Sequence, residues 1–216
     1  MDGTIVDTEP YWMRAEHELV ADFGVAWSHE DSLEIVGASL DHAARVFQRR
    51  GVDLPELEII ERLSSRVIEQ ISSAVPWRPG ARELLLELRE AGISTALVTM
   101  SYRAMAELVA ESIGFDAFDL VVSGDAVTHG KPHPEPYLHA ARELGVDARH
   151  CVAIEDSPTG VASAVASGAV TIGVPAHVEL PESASYTLWP SLAGRTVADL
   201  SAVYTAAQAA ERADAR

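Results

Sequence analysis

The sequence predicts an open, Rossmann-like parallel α/β sheet interrupted near its start by an all-helical insertion. Three observations carry this. Between about residues 10 and 76, apolar positions recur at helical spacing and no alternating strand pattern intervenes. The run Pro76-Trp77-Arg78-Pro79-Gly80 then punctuates the chain, and short apolar runs alternate with amphipathic segments beyond it. Those runs end in polar residues, where ligands bind in open parallel sheets. Residues 1–9 and 77–216 are therefore read as the α/β core, and 10–76 as a helical cap.

The elements follow in order. Trp12, Leu19, Val20 and Phe23 repeat at helix spacing and Gly24 stops the first helix. Ser28 followed by Asp31 is a helix N-cap with an acidic first turn. A helix over 40–50 ends at Gly51. Pro55 opens a long amphipathic helix with Leu57, Ile60, Leu63, Val67, Ile71 and Ala74 on one face. After the Pro/Gly run, helices are expected over 81–91, 102–113, 136–144, 159–167 and 197–209. Strands are expected over 93–99, 120–123, 151–154 and 170–174, with a possible edge strand at 186–188. The last seven residues read as frayed.

Bulk properties bound the function. A chain of 216 residues with 48% hydrophobic and 23% charged residues can bury a substantial core. No apolar run reaches the length of about 18 that a membrane helix needs, and residues 1–30 show no secretory-leader pattern. The net charge of −17 repels nucleic acid and anionic membrane surfaces. A single cysteine, Cys151, forms no internal disulfide, is read as a core thiol, and fits a reducing cytoplasm. The sequence leaves the oligomeric state open.

Four positions carry chemistry. Asp2-Gly3-Thr4 is either a simple Asp-Gly turn or part of a catalytic loop. Thr99, with Met100 and Ser101 after it, closes an apolar run, so its hydroxyl and the loop amides could hold phosphoryl oxygens; an ordinary helix cap uses the same residues. Lys131, in Gly130-Lys131-Pro132-His133-Pro134, is the one lysine beside fifteen arginines. It is either a phosphate-neutralising ammonium on a rigid loop or a solvated surface lysine. Glu155-Asp156 at a strand end suits a hard cation such as Mg²⁺, or an acidic helix cap.

Met1-Asp2-Gly3-Thr4, Thr99, Lys131 and Glu155-Asp156, in this order and at strand ends, resemble the motif set of haloacid-dehalogenase (HAD) superfamily phosphatases. The branch is that of β-phosphoglucomutase and phosphoglycolate phosphatase, with a helical cap after the first motif. The resemblance runs from Met1 to about Val174. It implies a Mg²⁺-dependent hydrolase of a small phosphorylated metabolite, working through an aspartyl-phosphate. Asp2 is then the general acid/base, with its main-chain carbonyl on Mg²⁺. Thr99, Met100, Ser101 and Lys131 surround the phosphoryl group, and Asp156 ligates the metal, with Glu155 direct or through water. The acid/base Asp2 speaks against dehalogenation. A cap without lysine speaks against phosphonate chemistry. Leu40 and Trp12, where mutases of the β-phosphoglucomutase type carry arginine and histidine, favour hydrolysis over a mutase.

In the family the nucleophile is an aspartate two residues ahead of Asp2, at the end of a buried central strand. The expectation is that the recorded start is set too late, at an internal Met, and that the 216-residue chain as written is inactive and poorly stable. Four missing apolar side chains at about 1.5–3 kcal/mol each remove roughly 6–12 kcal/mol, against a typical total of about 5–15. The alternative is a catalytically inactive relative that binds phosphate or a partner.

Overall fold

The computed structural model describes residues 1–214. Helices α1 (Glu9–Ala21), α2 (His29–Leu33), α3 (Leu40–Arg50) and α4 (Glu56–Ser73) form an all-helical block, as the periodicity predicts. The local signals work as their chemistry requires. Ser28 and Asp31 form a reciprocal capping box at α2. Gly51 ends α3 in the left-handed conformation at φ 113°. α4 packs on α1 and α3 through Ile59, Ile60, Leu63, Val67 and Ile71. Leu57 departs from the expected face and is 60% exposed, because it lies in the first turn, ahead of the helix contacts. Ala74 is already extended and closes α4 rather than belonging to it.

The rest alternates: α5 (Ala81–Glu90), β1 (Ala96–Val98), α6 (Arg103–Ser112), β2 (Leu120–Val122), α7 (Glu135–Glu143), β3 (Val152–Glu155), α8 (Pro158–Ala166), β4 (Val170–Gly173), β5 (Thr187–Leu188) and α9 (Val197–Asp214). β1 is shorter than the apolar run over 93–99, since Ile93 stays 41% exposed before the sheet begins. The end of the chain was expected to fray over its last seven residues, but α9 holds through Asp214; Ala215 and Arg216 lie outside the described residues. Cys151 is half-buried rather than a core thiol, with Sγ donating to the Asp147 carbonyl at 3.5 Å.

The pairings among β1–β5 are all parallel, but these strands form two separate ladders. β1 pairs with β2 in register Ala96 with Leu120, and β3, β4 and β5 pair in that order. Between the two ladders lies a cavity of about 580 Å³. Ala96, Leu97 and Val98 line one side and Val152, Ala153 and Ile154 the other, with Leu84 and Leu85 of α5 and Leu200 of α9 closing it. Its lining runs out to the exposed Ile93 and Val146, and it lies between two strand edges that do not pair with each other. At its end Met1, Ile5 and Val6 are buried in the main core, and Val6 bridges to Trp77.

Candidate active site

The polar ends of β1 and β3, the opening loop and the segment before α7 meet below the helical block. They bound a smaller cleft of about 100 Å³. Asp2, Thr99, Met100, Ser101, Lys131, Glu155 and Asp156, far apart in sequence, all line it.

The carboxylate of Asp2 accepts three hydroxyl hydrogen bonds. Thr8 donates to Oδ1 at 2.5 Å, and Ser101 and Thr99 donate to Oδ2 at 2.7 and 3.3 Å. Thr99 also accepts from the Ser101 amide at 3.1 Å, which fixes the turn after β1. The Met100 side chain reaches the lysine loop, where its sulfur accepts from the Lys131 amide at 3.2 Å.

Lys131 is not a surface lysine. Its side chain is 6% exposed and its Nζ lies 2.5 Å from Glu155 Oε1 and 3.1 Å from the Val98 carbonyl. Tyr137 donates to the same Glu155 oxygen. Burial alone would raise the Glu155 pKa, but Lys131 and the chain's amino group outweigh it and hold the carboxyl below its ordinary value. Glu155, expected at the metal directly or through water, holds Lys131 and Tyr137 through its Oε1.

Asp156 is 9% exposed, and its Oδ1 accepts from Thr4 at 2.9 Å. Burial, then the charge of Glu155, push its carboxyl up to about 6. Gly3 packs against it: at φ +69° a Cβ would stand 2.0 Å from Asp156 Oδ2, so only glycine fits. The Met1 amino group is buried beside these residues, and burial followed by Lys131 lowers its pKa. The carboxylates of Asp2, Glu155 and Asp156 do not converge as a three-carboxylate cluster among the described residues. The donors that fit a hard cation are Asp156 and the main-chain carbonyl of Asp2: an all-oxygen set in a buried place with excess negative charge.

The helical block roofs the cleft with Trp12, Ile35, Leu40, Phe47 and Leu63, and with two carboxyls, Glu9 and Glu16. Gly37 presses on the β3–α8 turn, where a Cβ would meet Ser157 Oγ at 2.6 Å, and its carbonyl accepts from Thr159 at 3.0 Å. Burial, then Glu16 and Asp2, push Glu9 up to about 8. Glu16 is 4% exposed; Trp27 and Ser32 donate to its Oε2 at 3.2 and 2.5 Å. Burial nevertheless raises its pKa above 4.5. Between 4.5 and its folded value Glu16 binds its proton more tightly in the folded chain than in the unfolded one, so this contribution to stability is lost as pH rises through that window. Glu16→Gln removes this dependence. Urea midpoints at pH 5 and pH 8 should differ less in the variant, and an unchanged difference would contradict this account of Glu16.

Thr8 and Glu9 belong to the opening stretch 1–9 that carries the first motif, but no role follows for them from the sequence, and none for Tyr137 or Glu16. Thr8 could have been suspected from its place in the opening motif. Tyr137 gave no signal, because only the packing of α7 on β1, β2 and α8 brings its hydroxyl to Glu155.

Known proteins resemble the chain over most of its length. A family model described as haloacid dehalogenase-like hydrolase matches residues 1–168. Hexitol phosphatase B of Escherichia coli (strain K12) is 35% identical over 180 residues, covering 82% of this chain and 81% of that protein. Protein CbbY of Rhodobacter capsulatus is 29% identical over 219 residues, covering 96% and 94%. The crystal structure of CbbY from Rhodobacter sphaeroides in complex with phosphate superposes with a TM-score of 0.83 at 29% identity, covering 93% of this chain and 96% of that one. A β-phosphoglucomutase from Clostridium difficile shares the fold, with a TM-score of 0.84 at 21% identity over 96% of both chains. With its opening motif, its parallel strands and the residues gathered at their ends, the chain belongs to the haloacid dehalogenase-like hydrolase family.

Proposed function

We propose that this site hydrolyses the phosphate monoester of a small metabolite with the help of Mg²⁺, and that its nucleophile is an aspartate delivered by an extended segment leading into Met1. The observation that carries the proposal is the cavity between β1 and β3, which ends at the cleft where Lys131, Asp2 and Asp156 meet. A strand there would bridge the two ladders, and its last side chain would emerge beside Lys131.

Each residue then has a role. The aspartate carboxylate attacks phosphorus while Asp2 gives a proton to the departing ester oxygen. Asp2 next takes a proton from the water that cleaves the acyl phosphate. The hydroxyls of Thr8, Thr99 and Ser101 hold Asp2 in place for both transfers. Lys131, fixed by Glu155 and the Val98 carbonyl, balances charge on the phosphoryl oxygens. Mg²⁺ held by Asp156 and the Asp2 carbonyl would supply charge neutralisation there. Residues 10–76 act as a cap whose apolar roof excludes water, with Glu9 and Glu16 facing the substrate. The relatives include proteins named as hexitol phosphatases, which supports a phosphorylated sugar or sugar alcohol as the substrate class.

The test uses a chain extended ahead of Met1 by five to eight mostly apolar residues ending in Asp, a normal length for a buried strand. Phosphate release from a panel of sugar and polyol monophosphates should require Mg²⁺ and stop in excess chelator. Asp156→Asn should abolish turnover or raise the Mg²⁺ needed for half-activity. Full activity of this variant in chelator would remove the metal from the mechanism.

A further inference from the structure

The segment that carries Lys131 also holds three side chains that the proposed hydrolysis leaves unused. His129, His133 and Glu135 bracket the lysine on both sides, and one ligand atom from each lies within 4.8 Å of the others. His129 Nδ1 is 2.7 Å from Glu135 Oε2, and His133 Nδ1 is 4.0 Å from the same oxygen. The two imidazole rings tilt toward each other with centroids 4.7 Å apart.

The backbone holds this group in place. Glu135 accepts from the Thr128 amide at 2.7 Å and from the His129 amide at 3.0 Å, so its carboxylate is fixed at the start of α7. The Glu135 amide donates to His133 Nδ1 at 3.2 Å. That contact engages the Nδ1 lone pair of His133, so a metal ion bound at this nitrogen takes the place of the hydrogen bond. Both imidazoles are exposed, so an ion can reach them without opening the fold.

We propose that His129, His133 and Glu135 form a second metal site, which takes a borderline divalent cation such as Zn²⁺ and ties the two ends of the Lys131 loop together. Two imidazoles and one carboxylate, with water completing the shell, suit Zn²⁺, Co²⁺ or Ni²⁺. Mg²⁺ prefers all-oxygen surroundings, so the two sites would sort ions by ligand chemistry. On binding, the metal replaces the proton that His129 Nδ1 shares with Glu135, and that proton leaves to solvent or moves to Nε2. The site does not depend on the hydrolase reading, because it shares no ligand with Asp2 or Asp156.

The experiment is equilibrium dialysis of the untagged, chelator-treated chain against Zn²⁺ at pH 7.5, with the Co²⁺ absorption spectrum as a second readout. The expected result is one saturable ion per chain that a hundredfold excess of Mg²⁺ does not displace. His129→Ala and His133→Ala, at exposed positions, should each weaken binding by about tenfold or more, at about 1.4 kcal/mol per tenfold, and leave the circular dichroism unchanged. Lys131→Ala should still bind. Absence of saturable binding overturns the proposal. So does equal binding by both histidine variants, which would mean that other histidines or Cys151 hold an adventitious ion only.

Discussion

Replacing Lys131 with alanine in the strand-extended chain should lower kcat by about 10²–10³, the loss typical when one preorganised charge-stabilising group is removed (roughly 2.7–4 kcal/mol). The ammonium is 6% exposed and held by Glu155 at 2.5 Å and by the Val98 carbonyl at 3.1 Å, so it needs no reorganisation to meet charge at the strand ends. The variant leaves Glu155 buried with Tyr137 as its remaining donor, which costs stability as well as rate. Lys131→Arg separates the two effects. It keeps a cation for Glu155 but cannot keep the geometry of a single buried ammonium. The fold should therefore be retained and the rate should stay low. Near-normal turnover in Lys131→Ala, at saturating substrate, would take Lys131 out of the chemistry.

The second large effect concerns stability. An extended segment seated between β1 and β3 would bury about four apolar side chains, worth roughly 6–12 kcal/mol. The cavity of about 580 Å³ would be filled, and both inner strand edges would gain partners. Such a difference is comparable to the whole stability of an ordinary domain, about 5–15 kcal/mol. The 216-residue chain should unfold at much lower urea and bind hydrophobic dyes, and its unpaired strand edges should drive aggregation. The extended chain should remain soluble, with a clearly higher midpoint. Equal midpoints would mean that the segment does not enter the sheet.

Much of this was legible in the residues, where the local physics is one-dimensional. Helix stops at Gly51 and the capping box at Ser28 are decided within a few residues, and the structure places those boundaries accordingly. Boundaries set by tertiary contact were less legible. The run over 93–99 is uniformly apolar, yet the strand starts at Ala96, because only there does β2 come alongside. Leu57 fits the helical period but reaches beyond the neighbours that bury the rest of its face. The same division holds in the site. Thr99 and Asp156 announce themselves by residue type at strand ends, Asp2 by the opening motif and Lys131 as the one lysine of the chain. Tyr137 and Glu16 matter through burial and partners that no short motif encodes. Glu155 was legible as a carboxylate in the site, but its commitment to Lys131 becomes visible only when residues 131 and 155 stand side by side.

The central claim is that the strand ends form a complete phosphohydrolase site once an aspartate is supplied from between β1 and β3. The most direct measurement is phosphate release by three proteins under the same Mg²⁺ conditions. They are the 216-residue chain, the chain extended by an apolar segment ending in Asp, and the same extension ending in Asn. The account predicts background release from the first and third, and turnover well above background only from the second. Turnover by the 216-residue chain itself, or an inert Asp-terminated chain that is folded and binds phosphate, would contradict it and leave a phosphate-binding protein in its place.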